Sequence, residues 1–145
     1  MKFHYAISGD DYSQAGLAST DIKKKLKEKG VLPQFIRKAV VSMYEAEINM
    51  IIHAGGGTAD VELEDDKIRI VMTDTGPGIP DVEKAMREGF STAPVFIQEI
   101  GFGAGMGLAN IKRNCDELEI NTVPGKGTII IMTIYFYDQS QNECP

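Results

Sequence analysis

Residues 44–57 read YEAEINMIIHAGGG and combine a helical pattern with a stop made of three glycines. Glu45, Asn49 and His53 are spaced four residues apart, so on a helix they form one polar stripe. The opposite face is apolar and carries Ile36, Val40, Met43 and Met50. Because this pattern follows the 3.6-residue period, we predict an amphipathic helix that begins near Pro33 and ends at the glycines.

The polar stripe has two interpretations. A carboxylate and a carboxamide one turn apart can divide the work of phosphoryl transfer, because the amide oxygen of Asn49 can ligate Mg²⁺ while the Glu45 carboxylate polarises an attacking hydroxyl. The same spacing is also common on a solvated helix face, and His53 by itself suits the last turn of a helix. Glu47 falls among the apolar positions, and the pattern offers no role for it.

A second motif, DTGPGIP at residues 74–80, follows an apolar strand predicted near residues 67–73. A carboxylate at the end of a buried strand, here Asp74, can accept a hydrogen bond from the exocyclic amine of adenine. Gly76 and Gly78 would let the backbone approach the base. The alternative is a simple turn, since Asp and Gly form turns without any ligand.

A third motif, GFGAGMGL at residues 101–108, opens a helix that continues to about residue 115. Glycines ahead of a helix N-terminus expose backbone N–H groups, and the helix dipole adds partial positive charge, so this segment can hold a triphosphate. Two other phosphate-binding motifs do not fit. The GKGT at residues 125–128 lacks the first glycine of a Walker loop, and neither Gly101 nor Gly103 starts a G-x-G-x-x-G fingerprint.

The predicted elements do not alternate strictly as βαβ units. This order favours a two-layer α/β sandwich of the α+β class, with a mixed, mostly antiparallel sheet and helices on one face. The predicted strands are residues 2–8, 58–63, 67–73, 118–123 and 128–137. The predicted helices are residues 12–29, 33–54, 81–88 and 108–115. We assign residues 1–138 to one domain and expect residues 139–145 to form a disordered tail.

The composition is that of one ordinary globular domain of 145 residues, with 43% hydrophobic and 25% charged residues. The net charge of −6 argues against a nucleic-acid partner, and the basic run at residues 23–27 is more simply a solvated helix face. No apolar run approaches the ~20 residues of a membrane span, and the chain starts without a signal-peptide pattern. Cys115 and Cys144 form no C-x-x-C pair, so we expect free thiols and a cytoplasmic location.

The three motifs occur in a fixed order: E-x-x-x-N on a helix, then D-x-G-x-G after a strand, then G-x-G-x-G before a helix. This combination resembles the GHKL ATPases, which have the Bergerat ATP-binding fold with a glycine-rich lid. The resemblance implies ATP and Mg²⁺ as cofactors, Glu45 as the catalytic base and Asn49 as the metal ligand. It implies a nucleotide-binding set made of Asn49, His53, Asp74, Gly76, Gly78, Ile79, Gly103, Ala104, Gly105, Met106, Gly107, Leu108 and Thr128. In this set Asp74 would anchor adenine directly and Thr128 would bind it through water.

Within that superfamily, residues 44–54, 88–92 and 103–108 are similar to the bacterial anti-sigma-factor serine/threonine kinases and stress-switch kinases. The similarity implies a kinase that phosphorylates a STAS-domain antagonist protein beneath a lid of residues 90–102. It also implies a sigma factor as a partner, and the homodimer that related proteins often form. Anti-sigma kinases often have a basic residue where this chain has Gly103, which favours the stress-switch branch. The alternative is a non-catalytic module whose nucleotide state switches its affinity for a sigma factor or another regulator.

Overall fold

The computed structural model describes residues 1–9, 15–78 and 107–137. In chain order its elements are β1 (Lys2–Ser8), α1 (Leu17–Lys29), α2 (Pro33–Ala54), β2 (Gly56–Leu63), β3 (Lys67–Asp74), α3 (Gly107–Asn114), β4 (Glu117–Val123) and β5 (Gly127–Tyr135). The strands of this described part form one sheet in the order β1-β2-β3-β5-β4, so β3 lies at its centre.

The sheet buries one face against the helices. Alternate side chains of β3 and β5 are buried, among them Ile68, Ile70 and Met72 on β3. They form one core with side chains from all three described helices, which confirms the predicted two-layer α+β fold. The pairings within the described ranges are all antiparallel. The prediction of a mostly antiparallel sheet is thus confirmed, but its mixed character is not seen among the described strands. The β2–β3 and β4–β5 hairpins set this direction, because a tight turn joins only antiparallel strands.

The long helix α2 packs against the sheet, α1 and α3. Pro33 stands at its first position, where the fixed φ suits the helix and the missing N–H has no intrahelical partner to lose. The helix ends at Gly55, whose φ of +73° gives a left-handed cap. These are the predicted boundaries. Although α2 has 22 residues, no helix in the described ranges is both long and apolar enough to cross a bilayer.

The start of α1 differs from its prediction. The sequence pattern predicted one helix from residue 12 to residue 29. Residues 12–14 lie outside the described residues, among which Ala15 and Gly16 form a turn, so α1 begins at Leu17. The physical reason lies elsewhere in the chain, because the Glu47 carboxylate of α2 binds the backbone N–H of Gly16 at 2.9 Å. A contact with a distant residue therefore sets the first turn of this helix.

Candidate functional site

Two members of the polar stripe of α2 face the first turns of α3. Glu45, Asn49 and His53 are all half-buried. The Oε1 atom of Glu45 accepts a hydrogen bond from Asn110 Nδ2 at 3.2 Å. One turn away the backbone of Gly107 lies against Asn49, where an added Cβ would stand 3.0 Å from Nδ2 and 3.1 Å from Oδ1. The structure therefore brings the E-x-x-x-N motif against the helix that follows the glycine-rich segment.

Asn110 presents its NH₂ group to Glu45. The guanidinium of Arg113 donates to the Oδ1 atom of Asn110. A guanidinium has no acceptor, so this contact fixes the orientation of the amide. Asn114 Nδ2 donates to the backbone oxygen of Asn110 at 2.8 Å. Within the described residues the Oε2 atom of Glu45 accepts no hydrogen bond, so the carboxylate is held at one oxygen and open at the other.

Asp74 ends β3 on the helix-covered face of the sheet, because it continues the alternation of buried residues along the strand. Its Oδ1 atom accepts the backbone N–H of Gly76 at 3.0 Å and that of Thr128 at 3.2 Å. Its Oδ2 atom accepts no hydrogen bond from the part of the chain that the structure describes. Two amide donors thus orient the carboxylate and leave one oxygen for a ligand, as an adenine anchor requires.

Thr128 lies beside Asp74 and is only 4% exposed. Its hydroxyl oxygen is 3.0 Å from that of Thr122, and either group can donate. Thr122 also donates to the carbonyl oxygen of Gly127 at 3.4 Å. The sequence predicted Thr128 as a site residue, and the structure adds Thr122 as its partner. Sequence reasoning missed Thr122 because no motif includes it, although it pairs with Thr128 across the predicted hairpin.

The loop after Asp74 is packed between the end of α2 and the β4–β5 turn. An added Cβ at Gly76 would lie 2.5 Å from the Cβ of Ala54, which is too close for two carbon atoms. The carbonyl oxygen of Pro77 accepts the backbone N–H of Gly125 at 2.8 Å. Glycine at position 76 is therefore required by the packing of this loop, whether or not a base lies against it.

Three further predicted site residues have distinct environments. His53 lies in the last turn of α2, and burial lowers its pKa below the ordinary value of 6.5, so the imidazole is neutral at pH 7. Gly78 has a φ of +81°, a conformation that favours glycine. The Leu108 side chain packs in the core, and its backbone lies in the first turn of α3.

Part of the predicted site lies outside the described residues. These positions are Ile79, Gly103, Ala104, Gly105 and Met106. The predicted helix at residues 81–88, the lid at residues 90–102 and the tail at residues 139–145 also fall there. The structure therefore connects the glycine-rich segment to α2 through its last residues, Gly107 and Leu108.

Glu47 has a different environment from Glu45, two positions earlier. It is only 1% exposed, and both of its carboxylate oxygens are occupied. Oε2 accepts the backbone N–H groups of Gly16 at 2.9 Å and Ala18 at 3.3 Å, and Oε1 accepts that of Ser19 at 3.1 Å. These donors have no partner inside α1, and the helix dipole favours negative charge at this end. Glu47, which the sequence left without a role, anchors α1 to α2.

Cys115 is a free thiol, as predicted. Burial raises its pKa to about 11, and its Sγ atom donates to the hydroxyl oxygen of Ser42 at 3.3 Å. The thiol is therefore protonated at pH 7, and Cys115, which directly follows α3, packs against α2. Cys144 lies outside the described residues.

The chain matches one family model over residues 38–138, that of the histidine kinase-, DNA gyrase B-, and HSP90-like ATPases. The match covers more than half of the chain, so the protein belongs to this family of ATP-binding domains. The predicted GHKL assignment is therefore confirmed, and with it a fold whose shared ligand is ATP.

Named relatives lie in the predicted branch of that family. The chain is 36% identical over 97 residues to the serine/threonine-protein kinase RsbT of Bacillus subtilis, covering 64% of this chain and 67% of RsbT. It is 44% identical over 96 residues to an anti-sigma F factor of Caldanaerobacter subterraneus subsp. tengcongensis, covering 63% of this chain and 64% of that factor. These relatives confirm the predicted kinase and anti-sigma class. The chain spans about two thirds of the length of the curated relatives it matches.

Solved structures share the fold. The RsbU and RsbW domains of a Mycobacterium tuberculosis protein superpose with a TM-score of 0.63 at 17% identity, covering 93% of this chain and 33% of that chain. The mycobacterial sensor histidine kinase MprB superposes with a TM-score of 0.53 at 16% identity, covering 93% of this chain and 97% of the MprB chain. At such low identity these likenesses establish the fold alone.

Proposed function

We propose that the chain is a serine/threonine protein kinase that uses Mg-ATP and phosphorylates a STAS-domain protein. One observation carries the proposal: Glu45 beside Asn49, and Asp74 beside Thr128, are half-buried carboxylates held at one oxygen, and no described residue donates to the other oxygen. A ligand-free turn explains the bond from Gly76 to Asp74, but it does not explain the second bond to the same oxygen from Thr128, 54 positions away. The 36% sequence identity to a relative named as a serine/threonine-protein kinase supports the choice of reaction.

The donor set suits a magnesium nucleotide. Mg²⁺ prefers hard oxygen ligands and is usually held by one or two protein groups together with phosphate oxygens and water. Asn49 offers an amide oxygen next to the first residue of α3, where the helix N-terminus favours anions. When bound, the ion would neutralise charge that develops on the transferred phosphoryl group.

The described residues would hold the two ends of the nucleotide. Asp74 Oδ2 would accept an N–H of the adenine amine, a charge-assisted bond worth ~1.5–3 kcal/mol. The hydroxyl of Thr128, next to Asp74, would bind the adenine through a bridging water. The backbone N–H groups of Gly107 and Leu108 would bind phosphate oxygens at the start of α3.

In the chemical step Glu45 Oε2 would accept the proton of the Ser or Thr hydroxyl of the acceptor protein. The hydroxyl oxygen forms a bond to the γ-phosphorus while the bond from that phosphorus to the leaving oxygen of ADP breaks. Such a base contributes ~10²–10⁴ in rate, and the rest of the catalysis comes from positioning and electrostatics.

Intact-mass spectrometry of a panel of purified STAS-domain proteins, after incubation with this chain and Mg-ATP, tests the proposal. We expect one acceptor to gain a phosphoryl group, and Glu45→Gln to slow that transfer about 10²–10⁴-fold. Calorimetry should give the same Kd for Mg-ATP with and without this substitution. Glu119→Gln is the matched control, because Glu119 is exposed on β4. Equal rates for the two variants would remove Glu45 from the role of base.

A sigma factor is the second proposed partner, which the relative named as an anti-sigma F factor supports. Pulldowns of purified sigma factors with ATP, ADP or no nucleotide measure this binding. Nucleotide-dependent capture of a sigma factor, with no phosphate on any STAS-domain protein, would contradict the kinase proposal. It would favour a non-catalytic module that binds its partner according to its nucleotide state. Capture together with phosphotransfer would support both activities in one chain.

A further inference from the structure

We propose that Asn110 is a positioning residue that holds the Glu45 carboxylate in line with the helix following the glycine-rich segment. The inference rests on the proposed role of Glu45 as the base. Asn110 acts through Glu45, and it is assigned no contact with the nucleotide or the acceptor hydroxyl.

The contact has a defined direction. Asn110 Nδ2 donates to Glu45 Oε1 at 3.2 Å, across 65 positions of sequence. Arg113, one turn further along α3, donates to the Oδ1 atom of the same amide. The amide therefore cannot present its oxygen to the carboxylate without losing the bond from Arg113. The resulting bond selects one rotamer of a half-buried glutamate that has several rotamers when unrestrained.

Asn110 also shares its helix face with Gly107. The two residues are three positions apart on α3, just as Glu45 and Asn49 are four positions apart on α2. Gly107 lies against Asn49, and Asn110 lies against Glu45, so α2 and α3 contact each other at two positions one turn apart. The base and the proposed metal ligand are therefore both aligned with the start of α3, where the phosphates are proposed to bind.

Packing alone does not explain an asparagine at this position. The buried surface of α3 comes from Leu108, Ala109 and Ile111, whereas Asn110 is half-buried. Its donor points at the carboxylate, and its acceptor is satisfied by Arg113. A side chain that only filled space would need neither hydrogen bond.

Steady-state phosphotransfer to the STAS-domain acceptor, together with the calorimetric Kd for Mg-ATP, tests the inference. We expect Asn110→Ala to lower kcat about ten-fold, the cost of one hydrogen bond to a charged group, and to change Kd by less than about two-fold. Asn114→Ala is the matched control, because it removes the same side chain from the next turn, where it contacts a backbone oxygen rather than Glu45. Equal kcat values for the two variants would overturn the inference.

Asn110→Asp separates positioning from packing. Aspartate has nearly the same shape as asparagine, but it replaces the donor by a carboxylate oxygen that faces Glu45, and like charges repel. A positioning role predicts a larger loss of kcat for Asn110→Asp than for Asn110→Ala. A packing role predicts the reverse order, and that order would contradict the inference.

The double variant of Glu45→Gln and Asn110→Ala shows whether Asn110 acts through Glu45. If it does, Asn110→Ala lowers kcat no further once the base is gone, whereas independent effects would multiply and overturn the inference. An impaired Glu45→Gln protein with an unimpaired Asn110→Ala protein removes the Asn110 assignment alone. Full activity in Glu45→Gln, or no transfer to any acceptor, removes the proposed function and this inference with it.

Discussion

Glu45 and Glu47 lie two positions apart on α2 and meet opposite environments. The helical period places them roughly 200° apart around the helix axis. Glu47 faces α1, is buried, and has three backbone N–H groups on its two oxygens. Glu45 faces α3, is half-buried, and has one side-chain donor on one oxygen. Among the described residues, the same residue type on the same helix thus has hydrogen bonds to both carboxylate oxygens in Glu47 and to only one in Glu45.

The difference separates a structural carboxylate from one that can do chemistry. A buried group whose acceptor sites are occupied can bind a substrate only by breaking bonds whose loss leaves buried donors unsatisfied. Glu45 and Asp74 meet the opposite condition, because each is bonded at one oxygen and receives no hydrogen bond at the other from the described residues. Asp21, Asp60 and Glu117 are also bonded at one oxygen only among the described residues, so the property by itself does not define a site. What sets Glu45 and Asp74 apart is that they also lie beside the two glycine-containing motifs.

The largest expected effect is on stability, from Glu47→Ala. The substitution leaves the buried N–H groups of Gly16, Ala18 and Ser19 without their acceptor. Each unsatisfied group costs about 1–3 kcal/mol, and fraying of α1 would recover part of this, so we expect the free energy of unfolding to fall by about 3 kcal/mol. Urea denaturation followed by circular dichroism measures the change.

Glu45→Ala is the matched control for that measurement, because it is the same substitution on the same helix. It removes one partly exposed contact, so the free energy of unfolding should change by less than about 1 kcal/mol. Similar losses of stability in the two variants would contradict the assignment of Glu47, but not Glu45, to a structural role.

Asp74→Asn tests the open oxygen of the second carboxylate. Asparagine keeps an acceptor for the N–H groups of Gly76 and Thr128, but it places an NH₂ group where the adenine amine would donate. We expect the Kd for ATP to rise roughly 10- to 100-fold, the equivalent of one charge-assisted hydrogen bond. Calorimetry with Asp60→Asn, an exposed substitution on β2, is the control. If both variants bind ATP equally well, Asp74 is not the adenine anchor.

Gly107→Ala should have a smaller effect, restricted to the metal-bound nucleotide. The new Cβ would stand 3.0 Å from the Asn49 amide, so that side chain must shift from its present position. A displaced rotamer costs about 0.5–1.5 kcal/mol, which corresponds to a Kd for Mg-ATP about two- to ten-fold weaker. Binding of ATP in EDTA should be unchanged. A loss of the same size with and without magnesium would mean that the substitution acts on the phosphates at the start of α3 and not on the metal through Asn49.

The sequence predicted those parts of the fold that depend on local pattern. The boundaries of α2 follow from its apolar period, a proline start and a glycine stop, all contained in one segment. The hairpins follow from alternation and turn residues, and so does the end of β3, which was predicted at residue 73 and lies at Asp74. These signals need no knowledge of a distant partner, which is why they could be found in one chain.

The contacts that separate Glu45 from Glu47 could not be predicted in this way. Glu47 meets Gly16 across 31 positions, and Glu45 meets Asn110 across 65. Periodicity shows that Glu47 lies on the buried side of α2, but not that the start of α1 brings unpaired N–H groups to it. The same missing contact explains why the predicted start of α1 was wrong. Asn110 was overlooked because its partner is defined only when α2 and α3 pack together.

The smallest expected effect is the pH dependence that His53 contributes from the same face as Glu45. Burial lowers the pKa of His53 in the folded protein below its ordinary value of 6.5. As the pH falls through that value the unfolded chain takes up a proton that the folded chain resists, so the free energy of unfolding decreases toward acid pH. We expect His53→Gln to flatten this decrease between about pH 7 and pH 5 in urea titrations. An unchanged slope would mean that the imidazole has the same pKa in the folded protein as in the unfolded chain.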